Sequence, residues 1–256
     1  MELFKFMPYR EDFFLNRLLR FTPAMFFNDP FEGQVTKSSA VKALHGSLRK
    51  TVDGGKSWIP LSVEEIELKI NYSNVGHALG ILSLTRSKHS LLMWAHYSNN
   101  HTGIILGVDS SHPFFNQSIS SNEVSKMFQI NTSLLGKLYP VVYERIRLEM
   151  ATKPSFDFHF YEYLQKSEEW MYEKEYRMFM NLSDANLTIK KNDAYISLFE
   201  IPEDAITRII LGVRSDKSKI LNDFAESVKM NPKLSHVKLE SAELHKDLYH
   251  IEHFTV

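Results

Sequence analysis

Apolar residues along this chain recur with two periods, two and about 3.6 residues, and the switches between them predict a series of short strands and helices. Residues 3–9 (LFKFMPY) are aromatic and apolar and predict a first strand. In 11–20, Phe13, Phe14 and Leu18 recur at helical spacing, and Thr22-Pro23 ends that helix. A short strand over 24–27 runs into Asn28-Asp29-Pro30-Phe31-Glu32-Gly33, a dense turn. Polar alternation marks 34–57 as a flexible insertion, and Ser62-x-x-Glu65 has the capping-box spacing that opens a helix over 62–77.

Farther along, the pattern predicts a strand at 80–85, a helix at 90–99 and a buried strand at 103–108, then a loop over 110–131 that carries one short helix. A strand follows at 137–147 and a helix at 158–167. Residues 172–181 (YEKEYRMFMN) alternate cleanly, with Tyr172, Lys174, Tyr176, Met178 and Met180 on one face and Glu173, Glu175 and Arg177 on the other. A strand at 206–213, a helix at 217–229 and strands at 237–240 and 248–256 complete the chain. Strands separated by helices and long loops, with a late run of strands, predict an α+β fold: a mixed, mainly antiparallel sheet flanked by helices. One domain over 1–256 is expected, with a C-terminal helix-strand extension at 214–256.

Composition narrows the function classes. With 256 residues, 43% hydrophobic, a formal charge of −1 and no cysteine, the chain is neither disordered nor disulfide-framed, and it has no thiolate site or cysteine nucleophile. A reducing cytoplasm fits. The balance of 31 acidic against 30 basic residues argues against coating nucleic acid through a net field. Glu2, Lys5 and Arg10 interrupt the start, unlike a signal peptide, and no apolar run reaches the roughly 20 residues that span a bilayer, so no membrane partner is expected. Gly-x-Gly-x-x-Gly and Walker-type loops are absent.

Three clusters could carry chemistry. On a strand, Glu173, Glu175 and Arg177 project from one face about 7 Å apart, so two carboxylates and a guanidinium could converge on one ligand. Such a trio suits a cation-like transition state, general base work or a divalent metal; a solvated face with a cross-paired arginine accounts for the same spacing. Trp94, His96, Tyr97 and His101 form the second cluster, where a histidine beside aromatics is either a base, a ligand or a structural hydrogen-bonding residue. The third is the turn with Asn28 and Asp29, whose side chains also cap such turns for purely local reasons. Arg10 either meets a phosphate or pairs with an acid. Among the 11 histidines there is no His-Glu-x-x-His or His-x-His spacing, and no metal is expected.

The segments LFKFMPYR, FFNDPFEG, ILSLTRSKHSLLMWAHYSNNHTGIILGVD, VVYERIR, EEWMYEKEYRMFM and ITRIILGV, in this order, resemble the DUF2971 family of bacterial proteins of unknown function. The succession of a strand with a basic residue, a Ser/Thr-bearing strand and a late strand with Glu-x-Glu also resembles the ADP-ribosyltransferase fold. That second resemblance implies Arg10, Ser83 and Glu175 as site positions, with Glu173 completing the Glu-x-Glu pattern. The usual His/Arg-Gly start is missing, and Leu-Ser-Leu-Thr only approximates Ser-Thr-Ser. The implied activity is an NAD-handling transferase or glycohydrolase, with a toxin or antiviral defence role. NAD would be the substrate, with catalytic Glu175, Glu173, Arg10 and His96; Asn28, Asp29, Ser83, Trp94, Tyr97, His101, Arg177 and again Arg10 would hold the nucleotide. The acceptor is a protein or a nucleic acid. A nuclease or nucleic-acid-binding effector using His96, His101, Glu173 and Glu175 is the alternative, as is a non-catalytic sensor of a nucleotide-type small molecule.

Overall fold

In the computed structural model, residues 1–32, 36, 78–123, 126, 131–147, 163–192 and 194–256 are described. Their strands are β1 (Glu2–Met7), β2 (Leu18–Phe21), β3 (Leu79–Thr85), β4 (Ile104–Asp109), β5 (Leu138–Pro140), β6 (Val142–Glu144), β7 (Gln165–Ser167), β8 (Glu175–Asn181), β9 (Leu187–Lys191), β10 (Ala194–Glu200), β11 (Ile206–Leu211), β12 (Lys238–Leu244) and β13 (Ile251–Thr255). The α-helices are α1 (Phe13–Asn16), α2 (Leu91–Tyr97) and α3 (Lys217–Met230). Eight strands form one sheet in the order β13-β12-β11-β4-β1-β3-β8-β5; β2, β10 and β9 form a second, and β6 pairs with β7. The expected mixed α+β class with a mainly antiparallel sheet is present. Within the large sheet the parallel pair is β11 with β12, joined through α3, as a crossover requires. None of the described helices is long and apolar enough to cross a membrane.

Alternation along the central strands buries both faces. Leu3 and Met7 of β1, Leu82 and Leu84 of β3, and Met178 and Met180 of β8 join the main core, which α3 closes with Ile220 and Phe224. Phe224 meets Phe14 edge-on at 5.3 Å, tying α3 to α1. On the other face, Phe4 and Phe6 pack with Met93 and Trp94 of α2. Ser90 caps α2 by accepting from the Met93 N–H at 3.3 Å.

The sheet is split beside β1. With β4, β1 keeps register from Glu2↔Asp109 to Met7↔Ile104, yet it meets β3 at Phe4↔Thr85 alone. Continuing that antiparallel register would set Phe6 opposite Ser83. Instead the strands diverge. Thr22, just after β2, takes over the edge of β3 by exchanging backbone hydrogen bonds with Ile81 at 2.9 and 3.0 Å. The Ser83 carbonyl, left between the two pairings, accepts from the Lys5 ammonium at 3.0 Å. A cleft opens at this split.

Several elements differ from expectation. The helix expected at 11–20 is confined to α1, because Arg17 adopts a left-handed conformation (φ 50°) and Leu18 to Phe21 pair with β10. Residues 24–26 form a 3-10 turn after Pro23 instead of a strand. The strand expected over 137–147 breaks at Pro140 into β5, which pairs with β8, and β6, which pairs with β7. Of the helix expected at 158–167, residues 158–162 lie outside the described set, and 165–167 are β7. Residues 168–173 form a 3-10 helix ended by left-handed Lys174, so β8 starts at Glu175, not at 172. The hairpin β9–β10 escaped the pattern reading, although Leu187, Ile189, Ile196 and Leu198 alternate around a turn at Asn192 (φ 54°). The insertion at 34–57 (but for Thr36) and the helix at 62–77 fall outside the described residues.

Two glycines let neighbouring chain segments approach closely. A Cβ on Gly103 would stand 2.2 Å from the Met7 carbonyl oxygen, and one on Gly212 would stand 2.2 Å from that of His101. The Gly212 N–H donates to the Gly103 carbonyl at 3.0 Å, so neither backbone can retreat without losing a bond. We expect Gly212→Ala to lower unfolding free energy by about 1–3 kcal/mol, the range of an overpacked core, read as a lower urea midpoint at unchanged slope.

Candidate functional site

The cleft holds a cavity of about 370 Å³ within the size range of small-molecule sites. Asn28, Ser83, His96, Tyr97, Glu173, Glu175 and Arg177, from four separate chain segments, all line it. The charged face of β8 is therefore not solvated: Glu175 is 5% and Arg177 1% exposed.

Arg177 sits at the centre of the wall. Its Nε and Nη2 donate to the two Glu175 carboxylate oxygens at 2.8 Å each, Nη2 also reaches Glu32 at 2.8 Å, and Nη1 reaches the Tyr163 carbonyl at 2.6 Å. The guanidinium carbon lies 4.9 Å from the centre of the Phe27 ring. Lys166 completes the cluster, with Nζ 2.6 Å from Glu173, 3.0 Å from Glu32 and 3.6 Å from Glu175. Three carboxylates thus share two cations. Such a group tolerates burial because each charge is both paired and hydrogen-bonded.

The two carboxylates of the Glu-x-Glu pattern are driven in opposite directions. Burial alone would raise the Glu175 pKa, but Arg177 and then Lys166 override it and hold the carboxyl below its ordinary range, with help from the Ser83 side chain. For Glu173 burial prevails: Lys166 opposes it, the like charge of Glu175 adds to it, and the pKa rises. The Tyr97 hydroxyl donates to Glu173 at 2.5 Å, and burial followed by the Glu173 charge raises the pKa of that phenol. On the other side, the Glu175 N–H donates to the Tyr143 hydroxyl oxygen at 2.8 Å. Lys5 opens onto the same cavity, and burial lowers its pKa from 10.5 to about 8 despite Glu175 and Glu173 nearby.

Trp94, His101, Asp29 and Arg10, also expected at the site, lie elsewhere. Trp94 is fully buried, edge-on to Phe6 at 5.2 Å, and serves the core beneath the cleft. His101 stacks on Trp94 at 6.3 Å and, at φ 71°, its carbonyl accepts from the Arg214 N–H. Asp29 caps its own turn by accepting from the Phe31 N–H at 2.9 Å and lines a smaller neighbouring cavity. Arg10 donates to the Leu18 carbonyl and lines an adjoining cavity of about 270 Å³ rather than the main one. His96 is exposed at the rim, 6.4 Å from the Tyr172 ring. Lys5, Arg20, Glu32, Lys166 and Tyr143 were missed. For two of them a signal exists in the sequence: Lys5 in LFKFM and Arg20 in LLRF are single charges inside apolar strands.

This geometry divides the Trp94–Gly103 segment into framework (Trp94, His101, Gly103) and cavity wall (His96, Tyr97). Residues 93–178 match the model of a family described as protein of unknown function, DUF2971. The match begins on α2 and ends within β8, so it takes in both the wall residues of α2 and the Glu-x-Glu-x-Arg pattern. No curated protein and no solved structure matches the chain.

Arg177→Ala leaves Glu175 and Glu32 buried with one cation fewer, and we expect a loss of about 3–5 kcal/mol in urea unfolding. Arg177→Lys should restore little of it, since one ammonium cannot reproduce the forked contacts. For Lys5, the folded pKa of about 8 lies below the unfolded one, so the unfolded chain holds the extra proton between pH 8 and 10.5. Stability should rise with pH across that window relative to Lys5→Met, whose comparison cancels the opposing effect of the buried tyrosines.

Proposed function

We propose that the cleft binds a nucleotide-type small molecule and that NAD is its substrate, in a glycosyl transfer or hydrolysis at the nicotinamide ribose. One observation carries this reading: Glu173 and Glu175 face one cavity with pKa values pushed apart, the arrangement that separates a proton-handling carboxylate from an ionised one. The adjacency of β1, β3 and β8, bearing Lys5, Ser83 and Glu175, supports the resemblance to ADP-ribosyltransferases. Arg10 gives way to Lys5 as the basic residue of β1 nearest the carboxylates.

In this scheme Glu175 stays ionised and stabilises the oxocarbenium-like ribose as its bond to the nicotinamide nitrogen breaks, the electron pair leaving with the base. Glu173 takes the proton of the incoming water or acceptor hydroxyl as its oxygen bonds to the ribose carbon. Tyr97 and His96 stand where a nicotinamide ring could stack. A second reading, ligand binding without turnover, draws on the saturation of Glu175 by Arg177 and Lys166.

Incubation of the purified chain with labelled NAD, with and without cell lysate, separates the two. Wild type should release nicotinamide or transfer label, and Glu173→Gln should slow this by about 100-fold or more while retaining the wild-type circular dichroism spectrum. An NAD-dependent rise in melting temperature without turnover would favour the binding module. Wild type indistinguishable from Glu173→Gln, with no melting shift, would rule out both.

A further inference from the structure

The adjoining cavity shares Lys5, Phe6, Pro8, Arg20, Thr22 and Tyr97 with the main one, so the two are lobes of one cleft. Their charges differ. Besides the shared Lys5 and Arg20, the main lobe carries Glu32, Glu173 and Glu175 with Lys166 and Arg177, whereas the adjoining lobe adds Arg10 and is lined by no described carboxylate. Arg10 is committed, to the Leu18 carbonyl, to Asp12 at 3.7 Å and to the Phe13 ring. Lys5 and Arg20 are less so. Beyond Ser83, the Lys5 ammonium has no hydrogen-bond or ion-pair partner among the described residues, and the Arg20 side chain has none.

Arg20 occupies the middle of β2, where Leu19 and Phe21 turn into the core and alternation sends its side chain to the cleft. The side chain stays exposed to the cleft, and its partial desolvation lowers its pKa with no acid nearby to oppose the shift. Two under-partnered cations from different sheets thus face both lobes, where an entering anion would meet them together. We propose that Lys5 and Arg20 form an anion subsite for the phosphate or pyrophosphate of the ligand, which points the ligand's uncharged or cationic end at Glu173 and Glu175. The phosphate contact stands independently of the reaction; the orientation rests on the nucleotide reading above.

Calorimetric titration of the full chain with sodium pyrophosphate, ADP and adenosine tests this. Pyrophosphate and ADP should bind, more weakly as salt rises, and Arg20→Gln should weaken both roughly tenfold or more while leaving adenosine affinity unchanged. Arg20 is exposed and outside the core, so this variant is expected to fold; Lys5→Met, checked by circular dichroism, should act in the same direction. Absence of pyrophosphate binding, or equal ADP affinity in wild type and Arg20→Gln, would overturn the subsite. Pyrophosphate binding that Arg20→Gln abolishes, in a chain that never turns over NAD, would uphold the subsite and sink the glycosyl-transfer reading.

Discussion

The forked contact of Arg177 with Glu175 holds the site together. Through Nη2 and Nη1 the same guanidinium reaches Glu32, at the end of the turn after Phe27, and the backbone at Tyr163. Two chain segments far apart in sequence are thereby fastened to β8. A guanidinium suits the position because it never loses its charge and offers donors in a fixed plane that matches two carboxylates and a carbonyl at once. The buried charge and the cleft wall are one feature: the pairing with Arg177 holds Glu175 in place, as Lys166 and Tyr97 hold Glu173.

A second constraint is topological. Because β1 keeps its ladder with β4 and abandons the one with β3, the sheet has a seam, and Thr22 and the Lys5 ammonium satisfy the β3 backbone that the seam would otherwise leave open. Polar groups collect at a sheet interruption for the ordinary reason that unpaired backbone must be hydrogen-bonded. The seam becomes a cleft with cations on one side and paired carboxylates on the other.

The DUF2971 match can be divided by physical role. Trp94 and His101 stack behind the cavity, while His96, Tyr97, Glu175 and Arg177 face it. Residues of one motif thus serve both packing and the site, and the burial of the Glu-x-Glu-x-Arg face is what marks the latter. Surface strands do not bury two carboxylates and a guanidinium unless something compensates the loss of water.

Much of this was open to reading in the order of residues. Short apolar runs placed β3 and β4, alternation placed β8, a strand at 206–213 and a helix at 90–99 are expected where β11 and α2 stand, and the two charged residues of Glu175-x-Arg177 share a face because strand geometry leaves no other option. Local pattern failed where long-range pairing outweighed it: 18–21 joined β10 instead of extending a helix, and 165–167 joined β6. Spacing could not tell a solvated acidic face from a buried one, since that depends on Lys166, Glu32 and Phe27, which only folding brings to β8. Nor could it show that Lys5 and Arg20 share a lobe without acids. Alternation is a property of neighbours in the chain, whereas desolvation and pairing are properties of neighbours in space.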